Sequence, residues 1–418
     1  MSKLIITGGK KLEGRIKVSG SKNAILTLLP ASLLVDGQVI FKNVPKIKDV
    51  ETMIKILQYL GAETEFEDST LIVKTKNVSY RDLLLQEIKL LRASILFLGP
   101  ILAKFGKIKT YFPGGDVIGA RPVEAHIKGM IDLGAKIENS ADVLIGEFKK
   151  FTNDNIILKE ISVTASETLI MASTFSKKPI NLRLVALEPH VQTLCEFLSL
   201  AGYNIKGIGT HFLKVSRGKR IKKEVIFDVP SDYVEAGTFM AFAPIVKNKI
   251  IIEKAPIENL DAVFVLAKEM NLHFEVKNKK IIIKPSKLKG TKIQTGLYPK
   301  FASDLHPPFG ILATQARGVS LIHEWMYENR FGYLKEAQYM GANVEILDPH
   351  RAIVIGPTPL FGKEVQSLDI RSGISLVIAG LFAEGKTTIY EAEKIDRGYE
   401  KIEEKLSNLG AEIKREET

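Results

Sequence analysis

Six times along the chain an amphipathic helical stretch runs into a glycine or asparagine and then into a short strand: IKILQYLGAETEF, IKGMIDLGAKIE, CEFLSLAGYNIK, VLAKEMNLHFEV, LKEAQYMGANVEI and IEEKLSNLGAEIK. The turn residues are Gly61, Gly134, Gly202, Asn271, Gly341 and Gly410, at intervals of 73, 68, 69, 70 and 69 residues. Unrelated alternation of helices and strands would not hold its period within a few residues over five intervals. The interval also exceeds that of solenoid repeats, about 20–50 residues. Gly and Asn are the residues that close a helix C-terminus in the left-handed conformation, and the helices before them carry apolar residues at i, i+3 and i+4.

After each turn come two short alternating runs, as in AETEF then TLIVKT, NVEIL then AIVIG, and FEV then IIIKP. This is the pattern of an antiparallel hairpin. The sixth copy stops at AEIKREET, before its second strand, whereas LIITGGKKLEG near the start resembles AIVIGPTPLFG of the fifth. The N-terminal strand is therefore expected to complete the sixth unit. Three units precede about residue 228 and three follow. That predicts an α/β protein of two similar domains, residues 22–228 and residues 1–21 with 229–418. A chain of 418 residues is too long for one ordinary core and suits two domains of roughly 200 residues. With two crossings between domains, the cleft they form is the expected ligand site.

Apolar residues at 45% and charged residues at 26% are the balance of a soluble globular protein. No uncharged apolar run approaches a membrane span, and MSKLIITGGKKLEG lacks a signal-peptide core, so a cytoplasmic protein is expected. The single cysteine, Cys195, excludes an internal disulfide and any multi-cysteine zinc site. Within VQTLCEFLSL it reads as a buried core thiol. A net charge of +11 admits nucleic acid, a membrane surface or small anions as partners. The lysines are dispersed, as in IKKE, KNKK and KLKG, without interleaved aromatics or a basic stripe. They read as solvated surface, and neither nucleic acid nor membrane is an expected partner.

The informative charges lie in short motifs. In VSGSKNAIL a strand ends at Val18, Ser19-Gly20-Ser21 turn, and an apolar helical run begins after Lys22-Asn23. Free N–H groups at a helix start attract anions and Lys22 adds a full charge; an ordinary serine cap with a surface lysine has the same spelling. YFPGGDVIGARPVEAH places Asp116 and Arg121 in a loop made mobile by Gly114, Gly115 and Gly119, with Arg121 set before Pro122. Such a loop has the make-up of an active-site lid, or of a plain surface turn. Arg92 interrupts an apolar helical run in KLLRASILFLGP, where it either snorkels or faces a polar cleft. ISVTASE offers Ser162, Val163 and Thr164 at a helix start. FASDL carries Asp304, EWMYENRF carries Glu328 and Arg330, LDIRSG carries Asp369 and Arg371, and KIDRGYE carries Asp396 and Arg397. Taken singly, each Asp–Arg combination reads as a structural ion pair.

Taken together, SGSKNAIL, NVPKIKDV, LRAS, PGGDVIGARPVEAH, ISVTAS, EAGTF, ENRF and IDRGYE resemble, in order and over essentially the whole length, the UDP-N-acetylglucosamine 1-carboxyvinyltransferase family of enolpyruvyl transferases. The resemblance implies two inside-out α/β domains of three repeated βαβαββ-like units each. It implies transfer of the enolpyruvyl group of phosphoenolpyruvate to the 3'-hydroxyl of UDP-N-acetylglucosamine, the first committed step of peptidoglycan precursor synthesis, by a monomer without metal or cofactor. By the family pattern, Lys22, Arg121 and Arg397 hold phosphoenolpyruvate, with Arg371 and Asp369 nearby; arginine forks suit its phosphate and carboxylate. Asn23, Arg92, Pro122, Val123, Ala125, Ser162, Val163, Thr164, Asp304 and Met326 line the nucleotide-sugar site. His126 stands at the family's loop histidine, where it contacts ligand or is simply a satisfied hydrogen-bonder. Asp304 is the implied acceptor of the hydroxyl proton and Asp116 the implied donor to C3.

Most members of that family carry cysteine where this chain has Asp116, which implies resistance to the epoxide fosfomycin, an alkylator of that cysteine. Surrounding cations lower an aspartate's pKa and oppose an acid role, so Asp116 is expected to be protonated only when the loop closes over substrate. Glu160, Thr164 and Tyr233 also depart from the family pattern, at the diphosphate site. Two other readings remain at this point: the same chemistry on a shikimate 3-phosphate acceptor, and a paralogue that binds UDP-sugar without turnover.

Overall fold

The structure, a computed structural model, describes residues 2–417. Among these residues the strands form six sheets, five of four strands and one of three, the last extended by an isolated parallel bridge from Leu83 to Thr110. All six turn residues adopt positive φ, from 58° at Asn271 to 118° at Gly134. A β-carbon is tolerated poorly there, so the repeat could be read from glycine.

Each unit has the same order, which the fifth illustrates. Strand Lys292–Gln294 leads into helix His306–Ala313, strand Gly318–His323, helix Gly332–Tyr339 and the hairpin Asn343–Asp348 with Arg351–Gly356. The first and second strands of the unit pair in parallel and the hairpin adds antiparallel. The first helix of a unit is apolar all round and buried along most of its length, the signature of a core helix. These helices are Lys22–Ala31, Leu98–Phe105, Val163–Ser173, Tyr233–Met240, His306–Ala313 and Ile370–Phe382. The helix ending in the left-handed turn buries one face only, as Lys48–Tyr59 does. Helices therefore lie in the middle and sheets outside.

By contact the chain forms two units. One comprises Gly20–Asp116 and Arg121–Pro230; the other comprises the residues up to Ser19, Val117–Ala120 and those from Ser231 onward. The tip of the glycine loop thus groups with the later part of the chain, while its flanks stay with the earlier part. Each unit has its own apolar core. In the second, Ser2–Thr7 pairs antiparallel with Glu412–Glu417 and with Lys386–Tyr390, the place that Arg351–Gly356 takes in the fifth sheet. Two strands depart from the regular order. Leu12–Lys17 precedes helix Lys22–Ala31 but pairs in parallel with Val246–Glu253, and Glu224–Asp228 precedes helix Tyr233–Met240 but pairs in parallel with Gln38–Lys42. The repeat continues through both crossings because each strand takes the position its counterpart leaves.

Cys195 is buried, and burial pushes its thiol up to about 12, so it is an unreactive core residue. Glu167 is the unusual core residue of the first unit. It lies on Val163–Ser173, 1% exposed, and its carboxyl accepts from the Thr27 hydroxyl of the neighbouring central helix at 2.7 Å, with His190 Nε2 at 3.9 Å. Burial pushes its pKa up to about 8; the Thr27 hydrogen bond opposes this and the nearby Glu188 charge adds to it. The group is thus neutral at pH 7 in the fold, whereas in the unfolded chain it ionises near its ordinary value of 4.5. Folding then takes up a proton between those values, and stability falls as pH rises from about 4.5 to 8 at up to about 1.4 kcal/mol per pH unit from this group. Glu167→Gln removes that slope while keeping the Thr27 hydrogen bond. Urea unfolding at pH 5 and pH 8 is expected to show a smaller stability difference for the variant than for wild type; equal differences would mean that Glu167 is buried as the anion.

Candidate active site

Lys22 with Asn23, residues 162–164, Asp304, and Asp369 with Arg371 stand at or beside the starts of four of the buried helices. A helix start offers unbonded N–H groups and the positive end of the dipole, and it is the one part of a fully buried helix where polar groups are needed.

In the first unit, helix Lys22–Ala31 is capped by Ser21, whose hydroxyl accepts from the Ala24 amide at 3.3 Å. The helix begins at Lys22 itself rather than after Asn23. The Lys22 side chain is buried, with its ammonium 2.8 Å from the Asp49 carboxylate in the first turn of Lys48–Tyr59. Asn23 beside it is half-buried.

The apolar run around Arg92 is broken rather than continuous. Leu91 is extended between the short helix Gln86–Leu90 and the 3₁₀ turn Arg92–Phe97. The break turns Arg92 outward, and its Nη2 donates to the Pro122 carbonyl at 2.6 Å. Residues 112–123 have no regular secondary structure. Within them the Arg121 guanidinium donates to the backbone carbonyl of Asp116, closing the loop on itself. Pro122 is exposed, and Val123 and Ala125 are buried where helix Glu124–Leu133 begins.

His126 is fully buried, and its Nε2 lies 2.9 Å from Thr164 Oγ1. Burial, then the Arg92 charge, pulls its pKa down to about 3, so the ring is neutral. His126 thus stands beside Thr164 and ties the loop's helix to the start of Val163–Ser173. Ser162 is the N-cap of that helix without a side-chain cap hydrogen bond, and Ser162, Val163 and Thr164 are half-buried. An uncapped start of this kind suits a phosphate group. Glu160 is exposed.

In the second unit, Asp304 lies in the 3₁₀ turn Ser303–Leu305, just before helix His306–Ala313. Its Oδ2 accepts from Arg371 Nε at 3.0 Å and Nη2 at 2.9 Å, and its Oδ1 from Arg330 Nη2 at 2.5 Å. Burial opposes ionisation, but the Arg371 and Arg330 charges outweigh it and hold the carboxyl well below the usual range. Both arginines are almost fully buried while the Asp304 side chain keeps 30% exposure. Arg371 Nη1 also donates to the Tyr399 hydroxyl at 3.0 Å, and Arg330 Nη1 to Ser303 Oγ at 2.6 Å.

Asp369 caps helix Ile370–Phe382, accepting from the Arg371 amide at 2.8 Å and the Ser372 amide at 3.0 Å. It orients Arg371 through the backbone, while the Arg371 side chain pairs with Asp304. In KIDRGYE, Asp396 accepts from Arg415 at 2.7 Å, and Arg397 is half-buried at the end of the 3₁₀ turn Ala392–Arg397. Met326 is half-buried, with its amide donating to Glu324 at 2.9 Å. Glu324 was not singled out from the sequence, yet it is fully buried and also receives the Ser303 hydroxyl at 2.8 Å and the Tyr327 amide at 3.1 Å. Its sequence signal is slight, an acid directly after the partly buried strand Gly318–His323. Among the described residues no group of three His, Cys, Asp or Glu side chains is placed to hold a metal ion, and no helix is long and apolar enough to cross a membrane.

Residues 6–406 match the family model described as EPSP synthase (3-phosphoshikimate 1-carboxyvinyltransferase). Among curated relatives, the UDP-N-acetylglucosamine 1-carboxyvinyltransferase of Nitratiruptor sp. is 38% identical over 419 residues, covering 99% of each chain. The protein of that name from Lawsonia intracellularis is 39% identical over 416 residues, again with 99% of each chain covered. Among solved structures, the enolpyruvyl transferase NikO from Streptomyces tendae superposes with a TM-score of 0.89 at 22% identity, over 99% of this chain and 98% of that one. The EPSP synthase of Acinetobacter baumannii superposes with a TM-score of 0.77 at 19% identity over both full chains. With its order of strands, buried helices and arginine-held aspartate, the chain belongs to the EPSP synthase family of enolpyruvyl transferases, in the branch of the UDP-N-acetylglucosamine 1-carboxyvinyltransferases.

Proposed function

We propose that this protein transfers the enolpyruvyl group of phosphoenolpyruvate to the 3'-hydroxyl of UDP-N-acetylglucosamine, releasing phosphate, and so opens peptidoglycan precursor synthesis and supports cell shape and division. The observation that carries the reading is Asp304, an ionised carboxylate with partial exposure, held by two buried arginines at a helix start. The acceptor is assigned from full-length relatives that carry the nucleotide-sugar name at 36–39% identity.

The reaction is addition followed by elimination. The sugar oxygen bonds to C2 of phosphoenolpyruvate as its proton passes to Asp304, and Asp116 protonates C3, leaving a tetrahedral ketal with a methyl group. The C2–phosphate oxygen bond then breaks, phosphate departs, and a proton returns from the methyl carbon to a base, restoring the double bond. Lys22, Arg121, Arg371 and Arg397 balance the phosphate and carboxylate charges of phosphoenolpyruvate and of the leaving group. Asn23, Arg92, Pro122, Val123, Ala125, Ser162, Val163, Thr164 and Met326 hold the nucleotide sugar, with the first-turn amides of Val163 and Thr164 taking the diphosphate. His126 supports Thr164 from behind and Asp369 aims Arg371.

Oδ2 of Asp304 accepts two guanidinium hydrogen bonds and Oδ1 one, so Oδ1 keeps a second acceptor site for the hydroxyl proton while both arginines stay in place. The protein works in the cytoplasm, as a monomer, where both substrates are made.

Phosphate release from phosphoenolpyruvate is expected with UDP-N-acetylglucosamine and not with shikimate 3-phosphate. Release with the latter alone would transfer the protein to the other acceptor class, and UDP-N-acetylglucosamine binding without release would make it a non-catalytic paralogue. Asp304→Asn is expected to lower kcat by roughly 10²–10⁴-fold, the range for loss of a general base, with circular dichroism showing a retained fold. Asp116→Asn is expected to lose activity to a similar degree; full activity with an unchanged pH–rate profile would remove Asp116 from the chemistry. A carboxylate opens an epoxide poorly, so wild type is expected to resist fosfomycin and Asp116→Cys to gain both activity and a covalent adduct. Mass spectrometry of the loop peptide decides between these, and an adduct on wild type would contradict the prediction.

A further inference from the structure

The exposed acid Glu328 does no work in the reaction as written, yet the tip of the glycine loop rests on it. The Glu328 carboxylate accepts from the Ala120 amide at 2.7 Å. Next to it, the Asn329 amide donates to the Ile118 carbonyl at 3.2 Å and the Asn329 side-chain amide to the Val117 carbonyl at 3.3 Å. All three contacts use loop backbone. Ile118 turns inward, 7% exposed, while Val117 is 84% exposed, so the tip is seated by one apolar side chain and three hydrogen bonds. Gly119 has φ of 147°, and a β-carbon there would lie 2.5 Å from Glu328 Oε2 and 3.2 Å from the Glu328 amide nitrogen. The close approach leaves no room for any side chain at 119.

The turn that carries this seat is itself fixed at both ends by buried charge. Glu324 receives the Met326 and Tyr327 amides and the Ser303 hydroxyl. Arg330 donates to Ser303 and to Asp304. One short turn, Glu324 to Arg330, therefore binds Asp304 with its last residue and the loop tip with the two residues before it.

We propose that Glu328 is a positioning residue for the transferase reaction: its carboxylate, with Asn329, is the seat that fixes residues 117–120 and so sets where the flanking Asp116 and Arg121 are held. The role is geometric. Backbone amides of Glu328 and Ala120 hold the carboxyl below its usual range, consistent with an acceptor kept ionised for this contact. The inference rests on the reading that Asp116 and Arg121 act on phosphoenolpyruvate; the existence of the seat does not.

Three variants and two readouts test it. Glu328→Ala removes the acceptor, and kcat is expected to fall by about 10–100-fold, since small misplacement of a reacting group costs on that order. KM for UDP-N-acetylglucosamine is expected to stay within about threefold. Glu328→Gln keeps an oxygen facing the Ala120 amide and is expected to remain within about threefold of wild type in kcat. Gly119→Ala is expected to resemble Glu328→Ala, and to cost less when placed in the Glu328→Ala background, where the clash is gone. Independently of turnover, hydrogen exchange of the 113–124 peptide in the substrate-free protein is expected to speed up in Glu328→Ala and not in Glu328→Gln. Unchanged exchange in Glu328→Ala, or wild-type kcat in that variant, overturns the proposal. A Glu328→Gln variant as slow as Glu328→Ala overturns the positioning role in favour of a charge effect. If wild type releases no phosphate, the functional reading fails while the exchange comparison still decides whether the seat exists.

Discussion

Burying a helix on every side leaves only its ends for polar chemistry, and this fold does so six times. The central helices have no solvent face, so the N–H groups of their first turns have to be met by caps, neighbouring side chains or bound anions. Three starts carry a side-chain cap, Ser21 before Lys22–Ala31, Asp232 before Tyr233–Met240 and Asp369 before Ile370–Phe382; three have no side-chain cap hydrogen bond, at Phe97, Ser162 and Leu305. A helix start without a cap is where a ligand's phosphate has most to offer. The same unit repeated with different first-turn residues yields a set of anchoring points that share one backbone geometry and differ in charge.

Charge in these cores is managed in two opposite ways. Burial among Thr27, His190 and Glu188 raises the Glu167 carboxyl to about 8. Asp304, less deeply covered and with two guanidinium groups in contact, stays ionised. The difference is decided by whether an arginine comes within hydrogen-bond reach, because desolvation alone raises a carboxyl pKa and a close opposite charge reverses it.

The architecture was readable because its punctuation is chemically strict. A left-handed turn after a helix accepts glycine or asparagine and little else, so six such turns mark six units, and the likeness of LIITGGKKLEG to AIVIGPTPLFG has its counterpart in the equivalent pairing of Ser2–Thr7 and Arg351–Gly356. Side-chain direction was less readable. Leu91 carries no helix-breaking residue type, so the break that frees Arg92 has no local signature. Asp369 and Arg371 looked like a local pair, but the acid bonds amides and the arginine reaches an aspartate far off in sequence. Glu324 was missed and the burial of His126 was not foreseen for one reason: full burial of a polar side chain depends on what the tertiary fold packs over it. The resemblance to the family located most of the residues at helix starts; the geometry says which of them face outward and which brace the ones that do.

The exchange of Leu12–Lys17 and Glu224–Asp228 bears on how the molecule is made. Residues 20–230 form a nearly continuous stretch that owns its strands, including the one received from its own far end. The other unit has to keep Ser2–Thr7 and Leu12–Lys17 waiting until Val246–Glu253 and then Glu412–Glu417 have been synthesised. Emerging vectorially from the ribosome, the inserted body has every partner it needs before any of the three sheets of its host can form. Ser2–Thr7 precedes all of its partners and finds its neighbours late, so the closure entropy of the long intervening stretch is met at the end of folding.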